Sequence, residues 1–529
     1  MAESLSNKQI ALYFIIVLLA GIIFGGAALL YPFGRDQGIY AYAGKLLLEG
    51  KINYKYVFDL KPPGVHFVFA FAQFLLGKSM LGMRAFDILW QSATGFVLFL
   101  ITYKMAFSKL AGLLSSVLYI FLYFKMDYWH TLQADGFLNL PFALSILILI
   151  TLKKEKFSST VLLSGFLFGV TILFKYTLIL FLPLLIAVFL FETDSPFLKR
   201  IKKILLYISG FITAILLTAV LYYFSGALGY FFDIQFVQTP LYAKIGYETE
   251  SVGFIAANII RLFFGSVYSP LILSSALLAV YLAGTKQFNN KLIILFAWII
   301  SSLAGLIIQW KFFLYHFLVI IPSLSVGASI FISRINERFR KSFPVSITVS
   351  SVIILIIYFL FGFKPYSVNY SDLLSYMKGD KTLEQVYIEK GFTSDSAFMI
   401  GKTFNAIDYI KTNTSESDGI YVWGFDPLIY YLSGRHCVSR FIYNFPLYWK
   451  EDNEEFQKEF LVDLYNDKPR MILVSQRDPL YFISGYRDDS KSMLEKFSGF
   501  KSFIDENYIY KTKIDDFYFY ELNNGVKVN

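Results

Sequence analysis

The sequence predicts a polytopic α-helical membrane protein carrying a soluble α/β domain at its C-terminal end. Three observations predict it. Of 529 residues, 56% are hydrophobic and only 16% are charged, where a soluble domain usually carries about a quarter charged residues. The mean hydropathy is +0.54. The charges punctuate long apolar runs up to residue 363 and become ordinary in frequency from Lys364 onward. The formal charge of +9 therefore reads as a set of topology signals and not as a nucleic-acid footprint. Thirty-four glycines, fifteen prolines and one cysteine exclude a collagen, a disordered chain and a disulfide scaffold. Cys437, alone, says nothing about redox compartment.

A membrane span takes roughly 20 apolar residues. The first run, 10–30, follows a single basic residue, Lys8, and has no small-residue cleavage site, so it reads as an uncleaved first helix. Further runs fall at 81–103, 108–124, 136–152, 158–174, 176–192, 204–224, 267–284, 292–310, 313–333 and 345–363, about eleven spans in all. The stretch 158–192 is nearly continuous, and Lys175 in its middle fits a tight turn between two short helices. The excess of Lys and Arg in cytoplasmic loops decides between one helix and two. With eleven spans and the N-terminus inside, Lys104/Lys109, Lys153/Lys154/Lys156, Lys199/Arg200/Lys202/Lys203, Lys286/Lys291 and Arg334/Arg338/Arg340/Lys341 share one side. Merging 158–192 would send the 199–203 and 334–341 clusters to opposite sides. Three elements are then expected outside: loop 32–63 with the apolar stretch 65–77 along the interface, segment 225–251 extended by 254–265, and everything from Lys364. The expected domains are 1–363, within the membrane, and 364–529, beyond it.

In that last segment the pattern alternates. Helices are expected over 403–412, 427–433 and 451–466, and strands over 419–423, 470–475 and near 508–522, an α/β layer. It has no glycine-rich phosphate loop, and Trp423 and Tyr430 read as its core. Its role is a lid or an acceptor-docking surface, with a plain structural cap as the other reading. Asn369-Tyr-Ser and Asn413-Thr-Ser match a glycosylation sequon, a pattern short enough to arise by chance.

Polar residues are costly near a bilayer unless they line a cavity or act, and here they collect at the expected outer side. The first outer loop holds Asp36, Asp59, Lys61-Pro-Pro-Gly64 and His66. The second holds Lys125, Asp127, His130 and Asp135; Lys175 follows span five, and Lys311 with Tyr315-His316 opens span ten. Carboxylates and cations at one membrane depth suit transfer to a hydroxyl from a phosphate-linked donor. A carboxylate takes the acceptor's proton, and Lys or His offsets the charge of the leaving phosphate.

At these residues the chain resembles the GT-C glycosyltransferases that use polyprenyl-phosphate sugars, among them protein O-mannosyltransferases, aminoarabinose transferases and Rgt-like galacturonosyltransferases. The resemblance runs through Gly34-Arg-Asp36-x-x-x-Tyr40, Asp59-x-Lys61-Pro-Pro-Gly64, Met83-Arg84, Ala134-Asp135, Gly165-x-x-x-Gly169 leading to Lys175, the 311–322 run, and Tyr421-Val-Trp-Gly-Phe-Asp-Pro-x-Ile-Tyr430. It implies a GT-C fold, with Asp36 as catalytic base and Asp135 as the second acidic site residue. It implies Lys61 at the lipid phosphate, with Lys175, Lys311, Tyr315 and His316 around it and Asp59 and Arg84 among the substrate-binding positions. Eukaryotic protein mannosyltransferases have Asp-Glu at the first motif where this chain has Asp36-Gln37, which counts against protein mannosylation and leaves the chemistry intact.

Each residue also has a plainer reading. Asp36 beside Arg35 is a candidate surface ion pair, Lys61-Pro-Pro a rigid turn, Asp135 a helix cap and Asp59 a loop hydrogen bond. Lys175, Lys311 and His316 are candidate interface anchors. His66 and His130 are too scattered for a metal pattern, although carboxylates alone can hold a divalent ion. The sequence thus predicts an inner-membrane glycosyltransferase, inverting through in-line displacement of the phosphate, that passes a sugar from a polyprenyl-phosphate carrier to a lipid, polysaccharide or protein acceptor at the outer face. A transporter or flippase of lipid-linked sugars is the alternative, against which stands the lack of paired inverted halves.

Overall fold

The computed structural model describes residues 5–152, 157–192, 195–249, 251–339, 364–391, 398–449 and 453–523. The expected span 345–363 lies outside these residues, as do Lys153, Lys154, Lys156, Arg340 and Lys341. The chain groups into two compact units. One comprises Met1–Leu29, Arg84–Val220 and Val252–Lys378; the other comprises Leu30–Met83, Leu221–Ser251 and Gly379–Asn529.

The first unit is helical. Among the described residues, four helices are long and apolar enough to cross a membrane: Asn7–Leu30, Met80–Ala106, Phe197–Phe224 and Asn290–Ile307. Val252–Gly265 and Ser269–Thr285 form a pair bent by 71° that passes the same test together. Shorter apolar helices occupy Lys109–Phe124, Ala134–Ile150, Phe157–Ile172 and Tyr176–Leu190. The chain is a multi-pass membrane protein, and the ten expected runs that fall on described residues coincide with helical segments, four of them long enough to span by themselves.

Local chemistry sets the helix starts. Ser6 accepts from the Gln9 N–H while Gln9 bonds back to the Ser6 N–H, a capping box. Asn289 caps Asn290–Ile307 by accepting from the Leu292 N–H at 3.1 Å. The stretch 158–192 does break into two, with Lys175 at the junction before the Tyr176–Leu180 turn. Gly165 and Gly169 have no room for a side chain, because a Cβ on either would strike the backbone of Tyr207 or Phe211. Small residues at such contacts let apolar helices approach closely. Ser145 and Ser164 then exchange hydroxyl-to-carbonyl hydrogen bonds of 2.9 Å in the same region.

The second unit contains the sheet. Its five strands are β1 (Gly419–Trp423), β2 (His436–Cys437), β3 (Met471–Ser475), β4 (Tyr508–Ile514) and β5 (Phe517–Leu522), in the order β2-β1-β3-β5-β4. β1 runs parallel to β2 and β3, and β5 runs antiparallel to β3 and β4. β1 and β3 are buried at every position, as parallel central strands covered on both faces should be. Helices Ile400–Asn413, Leu428–Ser433 and Glu454–Asn466 appear where alternation expects them. Trp423 is fully buried among Phe460, Phe497 and Phe500, and its indole N–H donates to the Ser490 carbonyl at 2.7 Å. Tyr430 is equally buried, its hydroxyl accepting from the Val422 N–H at 2.8 Å.

Candidate functional site

In the second unit, Gly34 enters helix Arg35–Leu48 in extended backbone, and its N–H donates to the Gln37 side chain at 3.0 Å. Asp36 lies in the first turn, where the helix dipole favours a negative charge. The first turns of the helix are otherwise packed away: Arg35, Gln37 and Tyr40 are buried, while Asp36 keeps partial access to solvent. Gly38 permits this, since a Cβ there would lie 2.9 Å from the Leu428 nitrogen. A partly exposed aspartate is thus carried on a helix whose neighbouring residues are buried.

Loop 49–63 follows, then helix Gly64–Leu76. Pro63 sits at the helix entrance, where a missing N–H costs nothing. Three side chains hold the loop. Tyr54, in the left-handed region at φ +69°, donates its hydroxyl to the Lys61 carbonyl at 2.8 Å. Gln235 donates to the same carbonyl at 3.3 Å, and Thr239 to the Leu60 carbonyl at 3.2 Å. Beneath them, Tyr222 bonds Asn53 at 2.6 Å, Asn53 bonds His66 Nδ1 at 2.6 Å, and His66 Nε2 lies 2.7 Å from Asp59 Oδ2. All four are buried. A Tyr hydroxyl donating to the Asn53 oxygen leaves the Asn53 NH2 to donate to Nδ1, which makes Nε2 the protonated nitrogen facing Asp59.

Asp36 and Asp59 act on one phenol. Burial holds the Tyr443 hydroxyl well above the usual tyrosine value, and Asp59, Tyr242 and Asp36 add to the shift. Arg35, by contrast, turns to the soluble domain. Its guanidinium lies 5.2 Å from the Phe425 ring and 5.3 Å from the Phe398 ring. Burial lifts the neighbouring Asp426 carboxyl to about 6; the hydrogen bond from Thr403, at 2.6 Å, and the Arg35 charge pull it down, and Asp478 pushes it up.

The remaining candidates belong to the first unit. Asp135 pairs directly with Lys175, and both are buried. Arg84 is buried and donates to Thr131 at 2.8 Å and the Tyr128 carbonyl at 3.0 Å, tying down the 125–133 connection. Within that connection His130 Nδ1 is 2.6 Å from Asp127. Burial raises the Asp127 carboxyl, but His130 and the N–H groups of Trp129 and His130 outweigh it and leave it below the usual range. The Ala134–Phe137 turn packs against Leu314–Val319, which carries Tyr315 and His316 with ring centres 4.6 Å apart. Lys311 is half-buried between Trp310 at φ +60° and Phe312 at φ +45°. Bulky residues rarely adopt that backbone, and such outliers concentrate at functional sites.

Asp36, Asp59 and Lys61 therefore share one unit, and Arg84, Asp135, Lys175, Lys311, Tyr315 and His316 share the other. Sequence reasoning set His66 aside as a scattered histidine and did not single out Asn53, Tyr222 or Asp87. The last of these accepts from Tyr123 at 2.8 Å and from Gln91 at 2.9 Å. The only available signal was the seven-residue interval from Asp59 to His66 across the prolines, which carries no motif. No three His, Cys, Asp or Glu side chains assemble as a metal site among the described residues.

Comparison with known proteins places the architecture. Over nearly its whole length the chain superposes on the crystal structure of ArnT from Cupriavidus metallidurans bound to undecaprenyl phosphate, with a TM-score of 0.58 and 12% identity, covering 97% of this chain and 98% of that one. The chain has the ArnT fold. The apo ArnT structure gives a TM-score of 0.54 at 14% identity, covering 96% and 98%. The Archaeoglobus fulgidus oligosaccharyltransferase, in complex with zinc and sulfate, gives 0.51 at 12% identity, covering 87% of this chain and 67% of that one. Residues 60–223 match the family model of dolichyl-phosphate-mannose-protein mannosyltransferases. No curated protein matches by sequence. The GT-C fold expected from the loop motifs is thereby found, and the family match begins at the residue before Lys61.

Proposed function

We propose that this protein is a membrane glycosyltransferase that takes a sugar from a polyprenyl-phosphate carrier and passes it to an acceptor hydroxyl at the outer face of the cytoplasmic membrane. The observation that carries the reading is the partly exposed Asp36 in the first turn of helix Arg35–Leu48, in the same unit as the clamped Lys61 loop. Support also comes from the match at 60–223 and from the ArnT relative, which was crystallised with undecaprenyl phosphate.

The chemistry balances without a further reactant. Asp36 accepts the proton of the acceptor hydroxyl as its oxygen attacks the anomeric carbon. The bond from that carbon to the phosphate oxygen breaks, and its electron pair leaves with the lipid phosphate. Lys61 meets the developing charge. A single in-line displacement inverts the anomeric centre. Tyr54, Gln235 and Thr239 fix the Lys61 loop beforehand, so little reorganisation is left for the reaction itself. Lys311, Tyr315 and His316 form a second phosphate- or sugar-binding set, while Lys175 serves to neutralise Asp135. The sheet domain selects the acceptor.

Sugar release from a panel of synthetic polyprenyl-phosphate sugars, by purified protein in detergent, tests the reading. Turnover of at least one donor by the wild type is expected. Binding of such a lipid without turnover, even with envelope extract as acceptor, would replace the transferase with a transporter.

A further inference from the structure

A cavity of about 480 Å³ lies within the second unit, lined among others by Tyr230, Asp233, Gln238, Arg440, Glu455 and Phe456. Its volume falls within the range of about 300–1,000 Å³ typical of small-ligand sites. None of these residues was singled out by motif, and none takes part in the displacement described above.

The charge of Arg440 is already committed. Its Nε and Nη2 reach the two oxygens of Glu459 at 2.6 and 2.8 Å, a forked pairing. Its guanidinium also lies 5.0 Å from the Tyr230 ring and 5.2 Å from the Phe456 ring. With Arg440 and Glu459 cancelling, Asp233 and Glu455 outnumber Lys55, whose ammonium would lie 3.5 Å from a Cβ on the lining residue Gly226, and leave the cavity net negative by one charge. Asp233 keeps acceptor capacity beyond its 3.0 Å bond from Gln238, since a carboxylate offers about four lone-pair sites. Aromatic rings with hydrogen-bond acceptors and an amide around them suit the hydroxyls and C–H faces of a sugar. The same surplus of negative charge repels phosphate and uronate.

The cavity is built into the reaction loop. Its 226–238 wall runs on to Gln235 and Thr239, which hold the Lys61 and Leu60 carbonyls. On the other wall, the Arg440 carbonyl accepts from the Phe58 N–H at 2.7 Å. A ligand there sits against both anchors of the loop.

We infer that this cavity is an acceptor subsite for a sugar residue without anionic groups, neutral or amino-bearing. The inference rests on the transferase reading and narrows its acceptor to a glycan or glycolipid. Saturation-transfer NMR on the full-length protein in detergent tests it with methyl glucoside, methyl glucosaminide and methyl glucuronide as probes. The first two should bind, and the glucuronide should bind more weakly by on the order of tenfold. Glu455→Gln and Asp233→Asn keep the side-chain shape, and each should weaken glucoside binding about fivefold, the equivalent of one hydrogen bond. Glu455→Gln should also narrow the gap to the glucuronide. Equal binding of all three probes, no binding of any, or identical behaviour of the variants overturns the subsite. Donor turnover measured on the same preparations separates the two readings: turnover without sugar binding removes the subsite alone, and sugar binding without turnover removes the transferase.

Discussion

His66 Nε2 stands 2.7 Å from Asp59, and its other ring nitrogen is taken by Asn53 at 2.6 Å. The imidazole is thereby fixed in tautomer and orientation at the base of the Lys61 loop, with Tyr222 closing the chain. The arrangement predicts a gradient. Tyr222→Phe removes one terminal hydrogen bond, worth about 1 kcal/mol. His66→Ala leaves a buried carboxylate without its partner and should cost more, about 1–3 kcal/mol or above. Thermal unfolding in detergent should rank wild type, Tyr222→Phe and His66→Ala in that order; equal effects would mean that Asp59 finds water or another donor.

Lys175 and Asp135 give a second prediction. Removing one partner of a buried pair typically costs about 3–5 kcal/mol, whereas replacing both by neutral groups is often tolerated. Lys175→Met should therefore unfold at markedly lower temperature than wild type, and Asp135→Asn combined with Lys175→Met should recover much of the loss. A double variant that loses the sum of what Lys175→Met and Asp135→Asn lose singly would show that the two residues are not energetically coupled.

The pair also marks what the sequence could and could not show. Lys175 was legible as a break in 158–192, because a charge inside an apolar run needs a turn or a partner. Which partner could not be read, since Asp135 lies forty positions earlier. The central strands were legible because buried parallel strands are written as short apolar runs. The two-residue β2 was not, as it is too short to carry a pattern. Asp36 and Lys61 stood out through their loop motif. Asp426 was visible only as part of the 421–430 motif, and Arg440 and the role of His66 were not visible, because they depend on contacts across distant parts of the chain.

Asp426 predicts a pH dependence. Its folded carboxyl titrates at about 6, above its ordinary value of 3.8. A raised carboxyl favours the folded state fully below the ordinary value, and that contribution is lost as pH rises towards the folded one. The native state thus carries a penalty of about 3 kcal/mol above pH 6 that is absent near pH 4, at 1.36 kcal/mol per unit. Asp426→Asn removes this titration. Relative to wild type it should gain stability between about pH 4 and 6 and keep that gain at higher pH; melting curves across that window check it, and parallel curves for the two proteins would refute the assignment.

The most direct measurement is donor binding and sugar transfer on Asp36→Asn, side by side with wild type. A proton-accepting Asp36 predicts donor binding close to wild type with transfer reduced by roughly 10²–10⁴-fold. Full transfer by Asp36→Asn, or binding and transfer lost in parallel, would contradict it.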